Sequence, residues 1–196
     1  DLVFSPYGTP LTLAASSVSE KEQMVMLACA ASGEKIWQRG FEYVYGVYAL
    51  APRYFIGMMD LMAREGLETV AIVHEDSNFN NDVASGAERW AARFGLQVVS
   101  KLSFTDSESR LPQLVRKVVH HRPDGLVVSA YPPDCHRILK LMASSNYRPN
   151  GLGMTIAPIH PEFLKKVGPI GEGVFGPSQW EPDERIPFPG TKKFIA

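Results

Sequence analysis

The chain has 196 residues, 45% of them hydrophobic and 21% charged, a balance that fits one large globular domain or one and a half typical ones. A formal net charge of −1, with Lys and Arg scattered, leaves no electrostatic footprint for nucleic acid, and no run of about 18 apolar residues is present to cross a membrane as a helix. The two cysteines, Cys29 and Cys135, match no metal or redox spacing and read as unpaired small core residues.

The chain opens on Asp1-Leu2-Val3-Phe4, already inside a strand signal, with no Met and no signal peptide, and so reads as incomplete. Residues 2–5 predict a strand that runs into SPYGTPLT. There Pro-X-Gly forms a turn, Thr9 fits an N-cap, and Pro10 fits the first position of a helix over 10–22. A helix start at the carboxyl end of a strand offers free N–H groups, a hydroxyl and a positive dipole end, which together suit an anion. The turn carries neither a P-loop lysine nor a Gly-x-Ser-x-Gly elbow. Residues 24–28 (MVMLA) predict a buried strand that ends in a second small-residue loop, Cys29-Ala30-Ala31-Ser32-Gly33. A short helical piece over 34–38 and a strand over 42–48 follow.

Ala51-Pro52 begins an amphipathic helix over 53–65, closed by Gly66. Strands over 69–74, 96–102 and 125–129 then alternate with helices over 79–94, 109–121 and 133–145. Residues 152–155 are expected to form a last parallel strand, 161–167 a short helix and 173–176 a returning strand, and the tail around Ile186 is turn-rich. This alternation predicts an α/β fold of doubly wound parallel sheets. The middle, residues 50–172, is expected to be a flavodoxin-like lobe with strand order 2-1-3-4-5. The implied division is a partial first lobe over 1–48, a nearly complete second lobe over 49–173, and a crossover with return to the first lobe over 174–196. A three-stranded partial sheet leaves open edges, so the first-lobe segments are expected to self-associate or to be poorly ordered.

Ligands of open α/β sheets bind outside the carboxyl ends of the strands. The loops there are Ser5-Pro6-Tyr7-Gly8-Thr9, Cys29-Ala30-Ala31-Ser32, Glu75-Asp76-Ser77-Asn78-Phe79, Ala130-Tyr131-Pro132-Pro133 and Thr155-Ile156-Ala157-Pro158. Hydroxyls, aromatics and small residues dominate them, as in a binding pocket rather than a reaction centre. Glu75-Asp76 reads as turn and cap chemistry ahead of a paired-carboxylate site or ligand clamp, and His120-His121 reads as a solvated helix end ahead of a metal site. Asn78, Asn80 and Asn81 read as loop and cap residues, and Met58, Met59 and Met62 as core or interlobe packing. No Ser/His/Asp arrangement has a nucleophile loop and no Gly-x-Gly-x-x-Gly follows a strand, so no catalytic residue, metal or cofactor is expected.

The ordered combination SPYGTPLTLAASSVSEKEQMVMLACAAS, RGFEYVYG, TVAIVHEDSNFNNDVASGAERWAARFGLQVV, RPDGLVVSAYPPD and EGVFGPSQWEP resembles the type I periplasmic solute-binding proteins of ABC importers, in the branch of the Leu/Ile/Val-binding proteins. The resemblance covers nearly the whole chain. It implies two doubly wound lobes joined by crossover strands, a solute trapped between them, a membrane permease as partner, and a periplasmic or lipid-anchored extracellular location. It further implies that the solute's carboxylate is gripped by the Gly8-Thr9 turn with the Thr9 hydroxyl, by the Ala30 backbone and by the Ser32 hydroxyl, and that Phe79 and Tyr131 face the solute from the second lobe. Amino-acid binders of this family place an acidic residue against the ligand's ammonium; here the matching position is Thr155. A buried ammonium without a counter-charge is costly by several kcal/mol, so an aromatic or aliphatic acid is expected ahead of a branched-chain amino acid. The rival readings are a ligand-sensing regulatory domain of the same fold and, behind it, a doubly wound enzyme.

Overall fold

A computed structural model describes residues 1–181 together with Gly190 and Lys193; the rest of the turn-rich tail lies outside the described residues. Strands β1 (Leu2–Phe4), β2 (Val25–Ala28) and β3 (Val44–Gly46) form a parallel sheet in that order. The register pairs Leu2 with Val25, Phe4 with Leu27, and Leu27 with Tyr45. Because side chains alternate along a strand, Leu2, Phe4, Val25 and Tyr45 share one face. They are 52%, 65%, 37% and 56% exposed, whereas Met26, Ala28 and Val44 on the opposite face are buried where helix α1 (Thr9–Lys21) packs. Strand β2, expected to be buried throughout, is therefore covered on one side only.

The second sheet holds β4 (Thr69–Glu75), β5 (Gln97–Phe104), β6 (Gly125–Ser129), β7 (Gly151–Met154) and β8 (Val174–Phe175), all parallel, in the order β5-β4-β6-β7-β8. Counted from β4, this is the 2-1-3-4-5 order expected of a flavodoxin-like lobe. Residues 152–155 are not the last parallel strand. Val174–Phe175 pairs parallel to β7 after a crossover, so this sheet extends past residue 173.

Both faces of this sheet are covered. Helices α2 (Ile56–Arg64) and α3 (Asn78–Arg93) pack with Val70, Ile72 and Val127 on one side. Helices α4 (Ser107–His121), α5 (Pro132–Ala143) and α6 (Phe163–Val167) pack with Ala71, Val73, Leu126 and Val128 on the other. Met58, Met59 and Met62 belong to the first of these cores. They fit because β6 and β7 carry glycines beneath them: a Cβ at Gly125 would lie 2.1 Å from Met62 Cε, and one at Gly153 would lie 2.3 Å from Met58 Sδ.

Where a helix was expected from residue 53, Ala51–Arg53 is a short 3-10 turn and α2 begins at Ile56. Its Pro52 backbone is pressed against α3, where a Cβ at Gly86 would stand 2.3 Å from Pro52 Cα. The Trp90 indole N–H donates to Pro52 O at 3.0 Å, which pins this turn to α3. The thiols are both free; Cys135 is buried as expected, but Cys29, at the open end of β2, is only half-buried.

Candidate solute cleft between the sheets

The turn after β1 builds one wall. Gly8 precedes α1 at φ 88, ψ 155, a conformation essentially restricted to glycine. Thr9 is the first helical residue rather than the N-cap, and its buried hydroxyl does not cap the helix. Its oxygen accepts from the Gly33 N–H at 3.2 Å, so its proton is left with no acceptor among the described residues. The Gly8 N–H donates to Ala30 O at 2.9 Å, which binds this turn to the loop after β2. The N–H groups of Thr9, Leu11, Ala31 and Ser32 donate to no described residue. Two loops at one sheet edge thus hold several unspent donors.

The facing wall is aromatic. At the start of α3 the fully buried Asn80 donates to Glu75 Oε2 and Ser77 Oγ, both at 3.0 Å, and accepts from Ser129 Oγ at 2.7 Å. That network ties the β4–α3 turn to the end of β6 and so fixes Phe79. Phe79 lies edge-on to Tyr54 at 5.5 Å between ring centroids and tilted against Tyr131 at 6.3 Å. The Tyr54 hydroxyl meets Ser32 Oγ at 3.0 Å. Burial pushes the Tyr54 phenol up to about 12 and raises those of Tyr48 and Tyr131, so all three are neutral at physiological pH.

Six of the seven residues expected at the site, Gly8, Thr9, Ala30, Ser32, Phe79 and Tyr131, line one cleft of about 190 Å³. Thr155 does not. It is fully buried, and its hydroxyl donates to Ala130 O at 2.8 Å and accepts from Ala130 N at 3.1 Å. It supports the loop carrying Tyr131 from behind, because a buried hydroxyl is satisfied most directly by the adjacent strand-end backbone. The neighbouring Ile156 does reach the cleft. It sits at φ 45, ψ −51, and Ala157 N–H bonds back to Thr155 O, closing a tight turn that costs a β-branched residue on the order of 1–3 kcal/mol.

Tyr48, Tyr54 and Gln179 also line the cleft and were not singled out from the sequence. They come from or beside the segments that pass between the two sheets; Gln179 Oε1 accepts from Ala49 N at 2.8 Å, linking those segments. No charged side chain occurs among the described lining residues. A carboxylate there would be held by N–H and hydroxyl donors alone, a mode that stabilises buried carboxylates well. An ammonium would meet no carboxylate in the described lining.

The sequence model of the family described as periplasmic binding protein matches residues 1–196. The chain is similar to the Leu/Ile/Val-binding protein homolog 8 of Brucella abortus (strain 2308), at 24% identity over 156 residues, which cover 75% of this chain and 39% of the relative. Its fold resembles that of a leucine binding protein from Thermotoga maritima MSB8, with a TM-score of 0.86 at 16% identity over 99% of this chain and 55% of that one. It also resembles a solute binding protein of an ABC transporter from Rhodopseudomonas palustris BisB5, solved in complex with 3,4-dihydroxy benzoic acid, with a TM-score of 0.76 at 17% identity over 99% of this chain and 53% of that one. The chain spans about two-fifths of the length of the curated relative and about half of each solved chain. With two parallel sheets flanking one cleft and a family match along its whole length, the chain belongs to the periplasmic binding protein family.

Proposed function

We propose that this chain holds a small carboxylate in the cleft between its two sheets, without transforming it, as the solute receptor of an ABC importer outside the cytoplasm. The observation that carries this reading is the convergence of the Gly8-Thr9 turn and the Ala30–Ser32 loop opposite the Tyr54–Phe79–Tyr131 aromatic row. Donors on one wall suit an anionic head, and rings on the other suit an apolar or aromatic body. Size supports a single ring or a short branched chain, since a dry cavity of about 150 Å³ accepts benzene and this cleft is about 190 Å³. Closure of the lobes around such a solute presents the surface that a membrane permease reads.

The test is a matched panel of benzoate, 3,4-dihydroxybenzoate, 4-methylpentanoate and leucine, the last two differing by the ammonium group. Thermal shift followed by calorimetry is expected to rank the ammonium-free acids above leucine, and mass spectrometry to recover them unchanged. Strong stabilisation by leucine with none by the acids overturns the ligand class, and turnover of a bound acid overturns the receptor reading.

A further inference from the structure

Besides the Ser32–Tyr54 contact inside the cleft, two hydrogen bonds cross between the sheets at its rim. Asp82 Oδ2, on α3, accepts from the Glu34 backbone N–H at 2.9 Å, and Lys35 Nζ donates to Asn78 Oδ1 at 3.0 Å. Glu34 and Lys35 follow directly on the Ser32-Gly33 loop, whose Gly33 N–H holds the Thr9 hydroxyl. Asn78 and Asp82 flank Phe79 on the first turns of α3. The contacts therefore join the donor wall of the first sheet to the aromatic wall of the second, and neither Asn78 nor Asp82 lines the cleft. We infer that Asp82, assisted by Asn78, is a clasp: a positioning residue that holds the lobes closed and sets how long a solute stays, without touching it.

This rests on the solute-holding reading of the cleft. The physics is that of a two-state closure. A bond made only in the closed form adds to the closed population, and the population then multiplies solute affinity. A charge-assisted bond to a backbone N–H is strong enough for about a tenfold effect. Because it breaks when the lobes part, its loss acts on escape rather than on entry.

The experiment is hydrogen exchange by mass spectrometry on the solute-free chain, comparing wild type, Asp82→Ala, Asp82→Asn and Asn78→Ala. It is paired with stopped-flow and calorimetric binding of 3,4-dihydroxybenzoate, 4-methylpentanoate and leucine. With the clasp broken, exchange is expected to rise in cleft segments that Asp82 does not touch, residues 7–12 and 130–135. Asp82→Ala should also raise the dissociation rate about tenfold with association changed less than twofold, and Asp82→Asn should fall between it and wild type. Faster exchange confined to residues 33–36 and 78–83 reduces Asp82 to a local structural role and overturns the clasp, as does an affinity loss carried by association alone. Should Asp82→Ala fail to fold, Asn78→Ala decides by the same two readouts. Wild type that binds none of the three compounds refutes the proposed solute class, while the exchange pattern still decides the clasp.

Discussion

Gly33 approaches Thr9 so closely that a β-carbon on it would stand 2.5 Å from Thr9 Cγ2 and 2.7 Å from Oγ1, while its N–H donates to that same oxygen at 3.2 Å. The missing side chain is what lets the second loop settle on the start of α1. The bond uses an acceptor site of the Thr9 hydroxyl and leaves its proton unspent among the described residues. Thr9→Val removes that proton and strands the Gly33 N–H, so it is expected to weaken binding of the tightest acid in the panel by about tenfold or more and to cost about 1–3 kcal/mol of stability. Thr9→Ser keeps the hydroxyl, with its Gly33 bond and its proton, and should stay within about threefold of wild type. Calorimetry on the two variants settles the point, and equal affinities for Val and wild type would remove Thr9 from the site.

Two helical glycines give opposite expectations. Gly57, in α2, has nothing within 4 Å of where a Cβ would stand. Gly57→Ala should therefore raise stability by about 0.5–1 kcal/mol through helix propensity alone. At Gly86 the Cβ would meet the Cα and O of Pro52 at 2.3 Å, and backbone cannot turn aside as a side chain can. Gly86→Ala should cost about 1–3 kcal/mol and shift the Ala51–Arg53 turn that carries Pro52. Urea denaturation at constant m-value compares them; a Gly86→Ala midpoint at or above wild type is the outcome this packing does not allow.

The centre of the second sheet was legible because β4 and β6 read as nearly unbroken apolar runs. In TVAIVH, Val70 and Ile72 serve one core while Ala71 and Val73 serve the other, which is what a run without polar alternation announces. MVMLA reads the same way, yet Val25 is exposed while Met26 is buried; a run states that a strand can be covered twice, not that a second layer is present. The loops that carry the six cleft residues were legible because parallel topology brings strand ends to one edge; the residues within those loops came from the family resemblance. Tyr48, Tyr54 and Gln179 were not, since their places depend on how the chain passes between sheets, a long-range fact with no local period. Thr155 was misplaced for a related reason: its hydroxyl has a partner 25 residues away in Ala130, which spacing alone does not reveal.

Asp124 ties the starts of β6 and β4 together. Its Oδ2 accepts from the N–H groups of Glu68 and Thr69 at 3.0 and 2.9 Å and from the Thr69 hydroxyl at 2.8 Å. The Glu68 N–H, then the Thr69 hydroxyl and N–H, hold its carboxyl below the ordinary value of 3.8. A depressed folded-state value means a stabilisation fully present above the unfolded value and lost as pH falls through the folded one. Asp124→Ala removes the acceptor of these three bonds and should destabilise the chain at pH 7, by no more than about 1 kcal/mol because water screens so exposed a carboxylate. That difference should hold down to about pH 5 and shrink steadily below pH 4. Denaturation curves of both proteins from pH 7 to pH 3 test this; a gap that widens on acidification reverses the assigned sign.

The face shared by Leu2, Phe4, Val25 and Tyr45, with Val47 at 65% exposure beside it, is apolar and uncovered among the described residues. An exposed apolar sheet face whose edge strand β1 is unpaired on its outer side is the arrangement that pairs with other chains. The chain of 196 residues is expected to self-associate through it. Light scattering coupled to size exclusion should give a mass at least twice that of the monomer, rising with concentration. Phe4→Lys and Val47→Glu place charge on that face without touching the α1 side or the cleft, so together they should return the chain towards monomer while leaving solute affinity within about twofold. A wild-type chain that stays monomeric across the concentration range contradicts the expectation outright. If it associates and the charged variants associate equally, the contact lies elsewhere on the surface.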